Sequence, residues 1–406
     1  MGGATADGAG TESAALLIPQ QQRQHHVPQD SFNIAYVMYC ALGAGLYFPF
    51  NAFITAVDYF SYLYPEAAVD RAFSVVNFLS SVAALLPVIA FARKSDSFWS
   101  VNVGYVMFVV SLLSVPLVDA FYIKGEVGLY GGYYVAVGAC GLCGVATSLV
   151  QASVTGSAGL LPKRYMQGLV AGTAVSSVMV SALRILTKAV CSQDGGGLRL
   201  SAAIYFVVGI AFMLLNIVFY NLSHKLAVVK YHQQLKAKDE ASSLCLWEVA
   251  GSVKWYILSI LITFAVTCSI FPGSVTADVQ SSYLKDWYPI ILVMAYNVSD
   301  LVGKSLTSIY IVENPGTAMV GAFARTLFLP AFYFCLKGPE VFRTEVPVTV
   351  LTCLLGLSNG YFASVLLIKG PKSVGRKDAE TVGFLLVFVL VVGLAVGSVA
   401  SWFWLL

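Results

Sequence analysis

The stretch WYPIILVMAYNVSDLVGKSLTSIYI, residues 287–311, has the length and apolar content of a membrane-spanning helix, yet it carries Asp300 and Lys304 near its centre. An ionised side chain in hydrocarbon costs at least about 2.5 kcal/mol, so such residues usually face a partner or a watery cavity. The spacing i, i+4 places both side chains on one face of a helix, where they can pair. The stretch therefore predicts a membrane helix that borders a polar path through the protein.

Outward from this stretch, the rest of the chain also has the composition of a membrane protein. Hydrophobic residues make up 58% of the sequence and charged residues only 11%, whereas soluble domains carry about 25% charged residues. A membrane span needs about 20 mostly apolar residues. We therefore expect an all-α polytopic membrane protein with eleven transmembrane helices, at residues 32–55, 71–92, 99–121, 129–157, 165–190, 200–221, 253–272, 287–311, 317–336, 346–368 and 380–405.

The connections between these segments predict the topology and the division of the chain. Basic residues are in excess in the connections that share a side with the N-terminus, which predicts a cytoplasmic N-terminus and a non-cytoplasmic C-terminus. The polar residues 1–31 are expected to form a disordered cytoplasmic tail. A six-helix bundle at 32–221, a cytoplasmic linker at 222–252 and a five-helix bundle at 253–406 follow, with a substrate site between the bundles near the membrane midplane.

Polar residues inside the spans indicate what such a site would bind. Gln151 offers both a donor and an acceptor, which matches the edge of a nucleobase. Asp300 can accept from two neighbouring hydroxyls, as a ribose presents, while Lys304 keeps the carboxylate charged. Apolar side chains would supply a flat wall for a base. Further candidates that line the site are Phe50, Asn51, Ile54, Asn297 and Leu394.

Several motifs resemble those of the equilibrative nucleoside transporter family, in the same order along the chain. The first span contains LGAGLYFPFNAFITAVDYF at 42–60, and Gln151 is followed by GSAGLLP at 156–162. DLVGKSLT at 300–307, LSNGY at 357–361 and VGLAVG at 392–397 continue the resemblance. DYFSYLYP at 58–65 and TEVPVTVLTC at 344–353 are similar to the plant branch of the family.

The resemblance implies eleven helices, a fold like that of the major facilitator superfamily, and alternating access to a central nucleoside site. Gln151 would bond the base, and Asp300 with Lys304 would bind or orient the ribose of adenosine, uridine and similar nucleosides. Phe50, Asn51, Ile54, Asn297 and Leu394 would line the cavity. Lys304 stands where many members have Arg and lacks the planar fork of a guanidinium. Phe50 replaces the common Trp and lacks an indole donor.

Energy coupling and substrate class remain open at this level. A carboxylate that changes its protonation can couple protons to transport, and Asp119 and Asp300 are the candidates. Asp119 fits a residue at the water boundary equally well. An organic-cation or nucleobase transporter of the same fold is the alternative. The net charge of +3 is too small to indicate binding of DNA or RNA.

Other functional classes find little support. The four histidines lie outside the apolar segments, and no nucleophile–base pair, metal-ligand spacing or cofactor motif is present, so we expect neither an enzyme nor a metal site. The tail contains Glu12, Leu16 and Leu17 in the acidic dileucine spacing E-x-x-x-L-L, which sorting adaptors read. This pattern favours the vacuolar membrane over the plasma membrane.

Overall fold

The computed structural model describes residues 33–91, 97–159, 161–191, 194–226, 228–230, 246–273, 281, 283–284, 287–339, 344–375 and 378–405. The predicted tail at 1–31, with Glu12, Leu16 and Leu17, lies outside the described residues. So does the middle of the predicted linker, residues 231–245.

Within these ranges the chain consists of apolar helices, and ten of them are long and apolar enough to cross a membrane. An eleventh apolar helix, Lys254–Ile270, has 17 residues. In chain order the helices are α1 (Ile34–Thr55), α2 (Val69–Phe91), α3 (Ser97–Val118), α4 (Tyr130–Gly159), α5 (Lys163–Val190), α6 (Gly195–Ser223), α7 (Lys254–Ile270), α8 (Tyr288–Ile309), α9 (Pro315–Lys337), α10 (Glu345–Lys369) and α11 (Ala379–Ala400).

Shorter elements join or extend these helices. Val57–Leu63 and Leu246–Ser252 are short α-helices, Asp119–Ile123 extends α3 as a π-helical turn, and Pro371–Ser373 and Ser401–Leu405 are 3₁₀ turns. Helix α9 starts with Asn314, whose side chain accepts from the Gly316 amide at 2.9 Å, followed by a proline at the first helical position; both residue types suit a helix start. Its middle is a 3₁₀ turn at Arg325–Leu327.

Two groups of helices meet along two seams. Most of one hydrophobic cluster comes from residues 35–229, and two more clusters come mainly from residues 249–391. Leu85 and Ala152 join the second cluster, while Cys268 and Ala395 join the first. Helix α5 packs against α8, and α2 packs against α11. Many large apolar side chains remain exposed, such as Phe121 and Ile309, as expected for a surface that faces lipid.

Candidate functional site

Helices α8 and α10 lie in backbone contact around Asp300, because glycines occupy the contact positions. A Cβ added to Gly303 would lie 2.2 Å from the Leu357 carbonyl oxygen, and one added to Gly360 would lie 2.1 Å from the Asp300 carbonyl oxygen. Small residues allow such close approach between membrane helices. The glycines therefore bring the neighbouring side chains of the two helices within hydrogen-bonding distance of each other.

The Asp300 carboxylate is buried and holds one donor on each oxygen. Lys304 Nζ lies 2.8 Å from Oδ2, one helical turn along α8. Asn359 Nδ2 of α10 donates to Oδ1 at 2.8 Å. Only 6% of Asp300 is exposed. A carboxylate has about four acceptor positions, so each oxygen can still accept a hydrogen bond from a ligand.

Arg325 of α9 is a buried charge that the sequence reasoning above missed. It is 2% exposed, and its guanidinium joins α9 to α7 and α10. Its hydrogen bonds reach Thr263 O and Thr267 Oγ1 at 2.7 Å each, Ser358 Oγ at 3.1 Å, Leu355 O at 3.3 Å and Asn359 Oδ1 at 3.4 Å. The sequence did contain a signal for this residue, because Arg325 is a charged residue inside the apolar segment 317–336. A charge inside a membrane span usually has a partner or faces a cavity, as was argued for Asp300.

Asn51 and Asn297 meet at one residue of α5. Asn51 Nδ2 of α1 donates to Ser177 Oγ at 2.9 Å. Asn297 Nδ2 of α8 donates to Ser177 O at 3.2 Å and to Ser181 Oγ at 2.8 Å. These two serines were not anticipated from the sequence. The cluster joins α1, α5 and α8, so it spans the seam between α5 and α8.

Gln151 and the apolar candidates lie among the N-terminal helices and along the seams. Gln151 of α4 is 6% exposed and is hydrogen-bonded to Tyr47 of α1. Phe50 and Ile54 are buried in the first cluster, and the ring of Phe50 lies 4.8 Å, centroid to centroid, from that of Phe78. Leu394 of α11 packs against both the first and the second cluster.

Asp119, the other predicted proton-coupling carboxylate, lies apart from this group, in the π-helical turn at the end of α3. Arg199 of α6 binds it with two nitrogens, Nε at 3.0 Å from Oδ1 and Nη2 at 2.9 Å from Oδ2. The Tyr59 hydroxyl donates to Oδ1 at 3.1 Å. Burial, and then the nearby Asp119 carboxylate, raises the pKa of Tyr59, so this phenol remains protonated and keeps donating.

A second group of charges, also missed from the sequence, joins the end of α5 to the start of α8. Arg184 is fully buried and donates from Nε to Asp58 Oδ1 at 3.2 Å and from Nη1 to Ser201 Oγ at 3.0 Å. Lys188 Nζ lies 3.8 Å from Asp58 Oδ2 and 5.2 Å from the centre of the Trp287 ring. The lysine thus contacts a carboxylate after α1 and an aromatic face before α8.

Solved structures with the same fold are transporters. The chain aligns with the proton:xylose symporter XylE, described as a member of the major facilitator superfamily, with a TM-score of 0.64 and 13% identity over 93% of this chain and 89% of the other. A partially occluded, inward-open structure of XylE from E. coli gives a TM-score of 0.59 at 12% identity over 91% and 97% of the two chains. The fold is therefore similar to that of these major facilitator structures.

Sequence comparison identifies the family. The family described as "Nucleoside transporter" matches residues 137–244 and 236–406. Equilibrative nucleotide transporter 1 of Arabidopsis thaliana is 50% identical over 98% of this chain and 92% of its own length. Equilibrative nucleotide transporter 8 of the same plant is 43% identical over 93% and 97% of the two chains. The human equilibrative nucleoside transporter 4 is 26% identical over 93% and 83%. The chain is thus a membrane transporter that belongs to the equilibrative nucleoside transporter family, in its plant branch.

Proposed function

We propose that this protein carries nucleosides such as adenosine and uridine across a membrane by alternating access. The observation that carries the proposal is the Asp300 carboxylate, which is buried, ion-paired and still able to accept hydrogen bonds. A charge-assisted hydrogen bond is about twice as strong as a neutral one, so a carboxylate fixed in this way suits the adjacent hydroxyls of a ribose. The ion pair with Lys304 offsets part of the cost of burying a charge at this position.

The rest of the proposed site comes from both groups of helices: Gln151, Phe50, Asn51 and Ile54 from the N-terminal group, and Asn297 and Leu394 from the group that holds Asp300. Gln151 would exchange its contact with Tyr47 for the edge of a base. Phe50, Ile54 and Leu394 would supply the apolar wall, since Leu394 packs against both groups of helices. Asn51 and Asn297, which share Ser177 as a partner, would line the cavity at the seam.

Alternating access requires two bodies that move against each other, and the proposed bodies are residues 32–221 and 253–406, joined by the linker 222–252. The α5–α8 seam is held by the bonds of Asn297 to Ser177 and Ser181 and by the contact of Lys188 with Trp287. The α2–α11 seam is packed mainly by apolar residues such as Leu85. Opening one side of the site would break the first set of contacts, and opening the other side would break the second.

Topology, coupling and location complete the proposal. We propose that the chain has eleven spans, with α7 as the short one, and that the N-terminus is cytoplasmic and the C-terminus lies on the opposite side. The excess of basic residues in the connections that share a side with the N-terminus supports this orientation. Both carboxylates considered for proton coupling are paired, Asp119 with Arg199 and Tyr59, and Asp300 with Lys304 and Asn359. Asp300 fits proton coupling better, because it lies in the proposed substrate site. The dileucine pattern supports the vacuolar membrane.

The test is uptake of labelled adenosine and uridine into proteoliposomes, with and without an inward proton gradient. We expect saturable uptake by the wild type and loss of uptake in Asp300→Ala and Gln151→Ala. Glu126→Gln, in the exposed loop before α4, is the matched control and should transport normally. Stimulation by the gradient would support proton coupling, while uptake that only equilibrates would contradict it. Uptake of adenine or a monoamine without either nucleoside would overturn the proposed substrate.

A further inference from the structure

Arg325 is satisfied in an unusual way for a buried cation. A guanidinium has five N–H donors, and the five contacts given above use oxygens of three side chains and two backbone carbonyls, all of them neutral. The described residues show no carboxylate bonded directly to it. A buried charge without a direct counterion is costly, so its nearest compensation has to come from Asp300, through the groups that lie between them.

These groups form a chain of hydrogen bonds that runs in one direction. Arg325 Nη2 donates to Thr267 Oγ1 at 2.7 Å, and Thr267 Oγ1 donates to Asn359 Oδ1 at 2.9 Å. Asn359 Nδ2 then donates to Asp300 Oδ1 at 2.8 Å. Donors in such a chain polarise one another. The carboxylate oxygen at its end therefore lies in a field set by the guanidinium.

Arg325 also decides where the single proton of the Thr267 hydroxyl points. That hydroxyl lies 2.9 Å from each of two acceptors, Thr263 O and Asn359 Oδ1, and it is also hydrogen-bonded to the Tyr296 side chain. Arg325 Nη1 donates to Thr263 O at 2.7 Å and only at 3.4 Å to Asn359 Oδ1, which leaves Asn359 Oδ1 as the better acceptor for the hydroxyl. With its oxygen held by donors, the Asn359 amide has to present its NH₂ group to Asp300.

We propose that Arg325 is a positioning residue for ribose recognition, acting through Thr267 and Asn359 on Asp300 Oδ1. The inference rests on the proposed function, because it assumes that Asp300 accepts from the ribose hydroxyls. The proposal gives α9 a part in substrate selectivity, because the 3₁₀ turn of this helix at Arg325–Leu327 carries the guanidinium. A residue that only clamps α7, α9 and α10 together would affect every substrate alike.

The test uses Thr267→Val, which keeps the shape of the side chain and removes the hydroxyl, with Thr267→Ser as the matched control. Uptake of adenosine is compared with that of 2′,3′-dideoxyadenosine, which lacks both ribose hydroxyls. Loss of one hydrogen bond in the chain should raise KM for adenosine about tenfold. KM for the dideoxy analogue and the maximal rates, normalised to folded protein, should stay within about twofold. Thr267→Ser should behave as the wild type.

Arg325→Lys provides a second measurement. It should raise KM for adenosine and leave KM for the dideoxy analogue nearly unchanged, as Thr267→Val does. If Arg325→Lys fails to fold, the comparison of Thr267→Val with Thr267→Ser still tests the proposal. Equal changes in KM for both substrates, or a lower melting temperature with unchanged KM values, would overturn the proposal for Arg325. In either case, adenosine uptake by the wild type would leave the proposed function standing. Absence of adenosine uptake by the folded wild type would overturn both.

Discussion

Substitution of Gly360 by alanine tests whether the backbone contact between α8 and α10 sets the geometry at Asp300. The added Cβ would lie 2.1 Å from the Asp300 carbonyl oxygen and 2.9 Å from the Lys304 nitrogen. Both are backbone atoms, so no side-chain rotation can relieve the overlap. Ordinary carbon–oxygen contact begins near 3.4 Å, which requires the helices to separate by about 1 Å.

A separation of this size has two measurable consequences. If the side chains follow the backbone, the 2.8 Å bond from Asn359 to Asp300 lengthens to about 3.8 Å, beyond hydrogen-bonding range. A hydrogen bond to a charged group is worth about 1.5–3 kcal/mol, so we expect KM for adenosine to rise by about ten- to a hundredfold. Overpacking of this kind costs about 1–3 kcal/mol of stability, offset in part by about 0.5–1 kcal/mol for Gly→Ala in a helix.

The assay is concentration-dependent uptake in proteoliposomes, together with the melting temperature in detergent. Gly138→Ala is the matched control, since a Cβ at this exposed position of α4 would have no neighbour within 4 Å. It should transport as the wild type and melt at the same temperature or slightly higher. The claim that the contact between α8 and α10 sets the geometry at Asp300 would be refuted by either of two results. One is a KM for adenosine in Gly360→Ala equal to that of the wild type, and the other is a loss of uptake in Gly138→Ala as large as in Gly360→Ala.

Three further predictions concern the charged groups and the tail. Asp119→Asn should lower the melting temperature, because the partly buried ion pair with Arg199 loses its negative charge. The variant should keep any stimulation of uptake by a proton gradient. Lost stimulation with an unchanged melting temperature would show instead that Asp119 carries the proton. Lys188→Met should favour the conformation in which α5 and α8 separate, since a cation–π contact such as that with Trp287 is worth about 0.5–2 kcal/mol. Spin-label distances between the two helix ends measure this, and an unchanged distribution would contradict it. Leu16→Ala with Leu17→Ala should move a fluorescent fusion away from the vacuolar membrane of plant cells, and an unchanged location would remove that argument.

The helical segments could be predicted from the sequence, because a membrane span is a local property of about 20 residues. The segment expected at 287–311 is a helix over Tyr288–Ile309, and that expected at 346–368 is a helix over Glu345–Lys369. The contact between Asp300 and Lys304 follows from spacing on a single helix, and the two side chains lie 2.8 Å apart. Both inferences need no knowledge of how helices pack.

The remainder of the candidate site depends on packing between distant segments. Arg325 acquires its partners from α7 and α10, up to 62 positions away in the chain. The pairing of Arg184 with Asp58 joins residues 126 positions apart. Each arginine was visible as a charge inside an apolar segment, but its role depends on which helix lies beside it. Spacing within one helix carries no such information.

The placement of strong and weak contacts is what an alternating-access transporter requires. The ion pairs of Arg184 with Asp58 and of Arg199 with Asp119 each join two segments of the N-terminal group of helices, and the pair of Lys304 with Asp300 lies within one helix. Breaking a fully buried pair costs about 3–5 kcal/mol, and a partly exposed pair costs less. The pairs between segments therefore favour movement of the N-terminal group as one body. The hydrogen bonds that cross the α5–α8 seam, such as Asn297 with Ser181, are neutral and have a net worth of about 0.5–1.5 kcal/mol each. The cation–π contact of Lys188 with Trp287 is worth about 0.5–2 kcal/mol. A few of these can be exchanged for contacts with water when the seam opens, whereas a seam closed by buried ion pairs would stay closed.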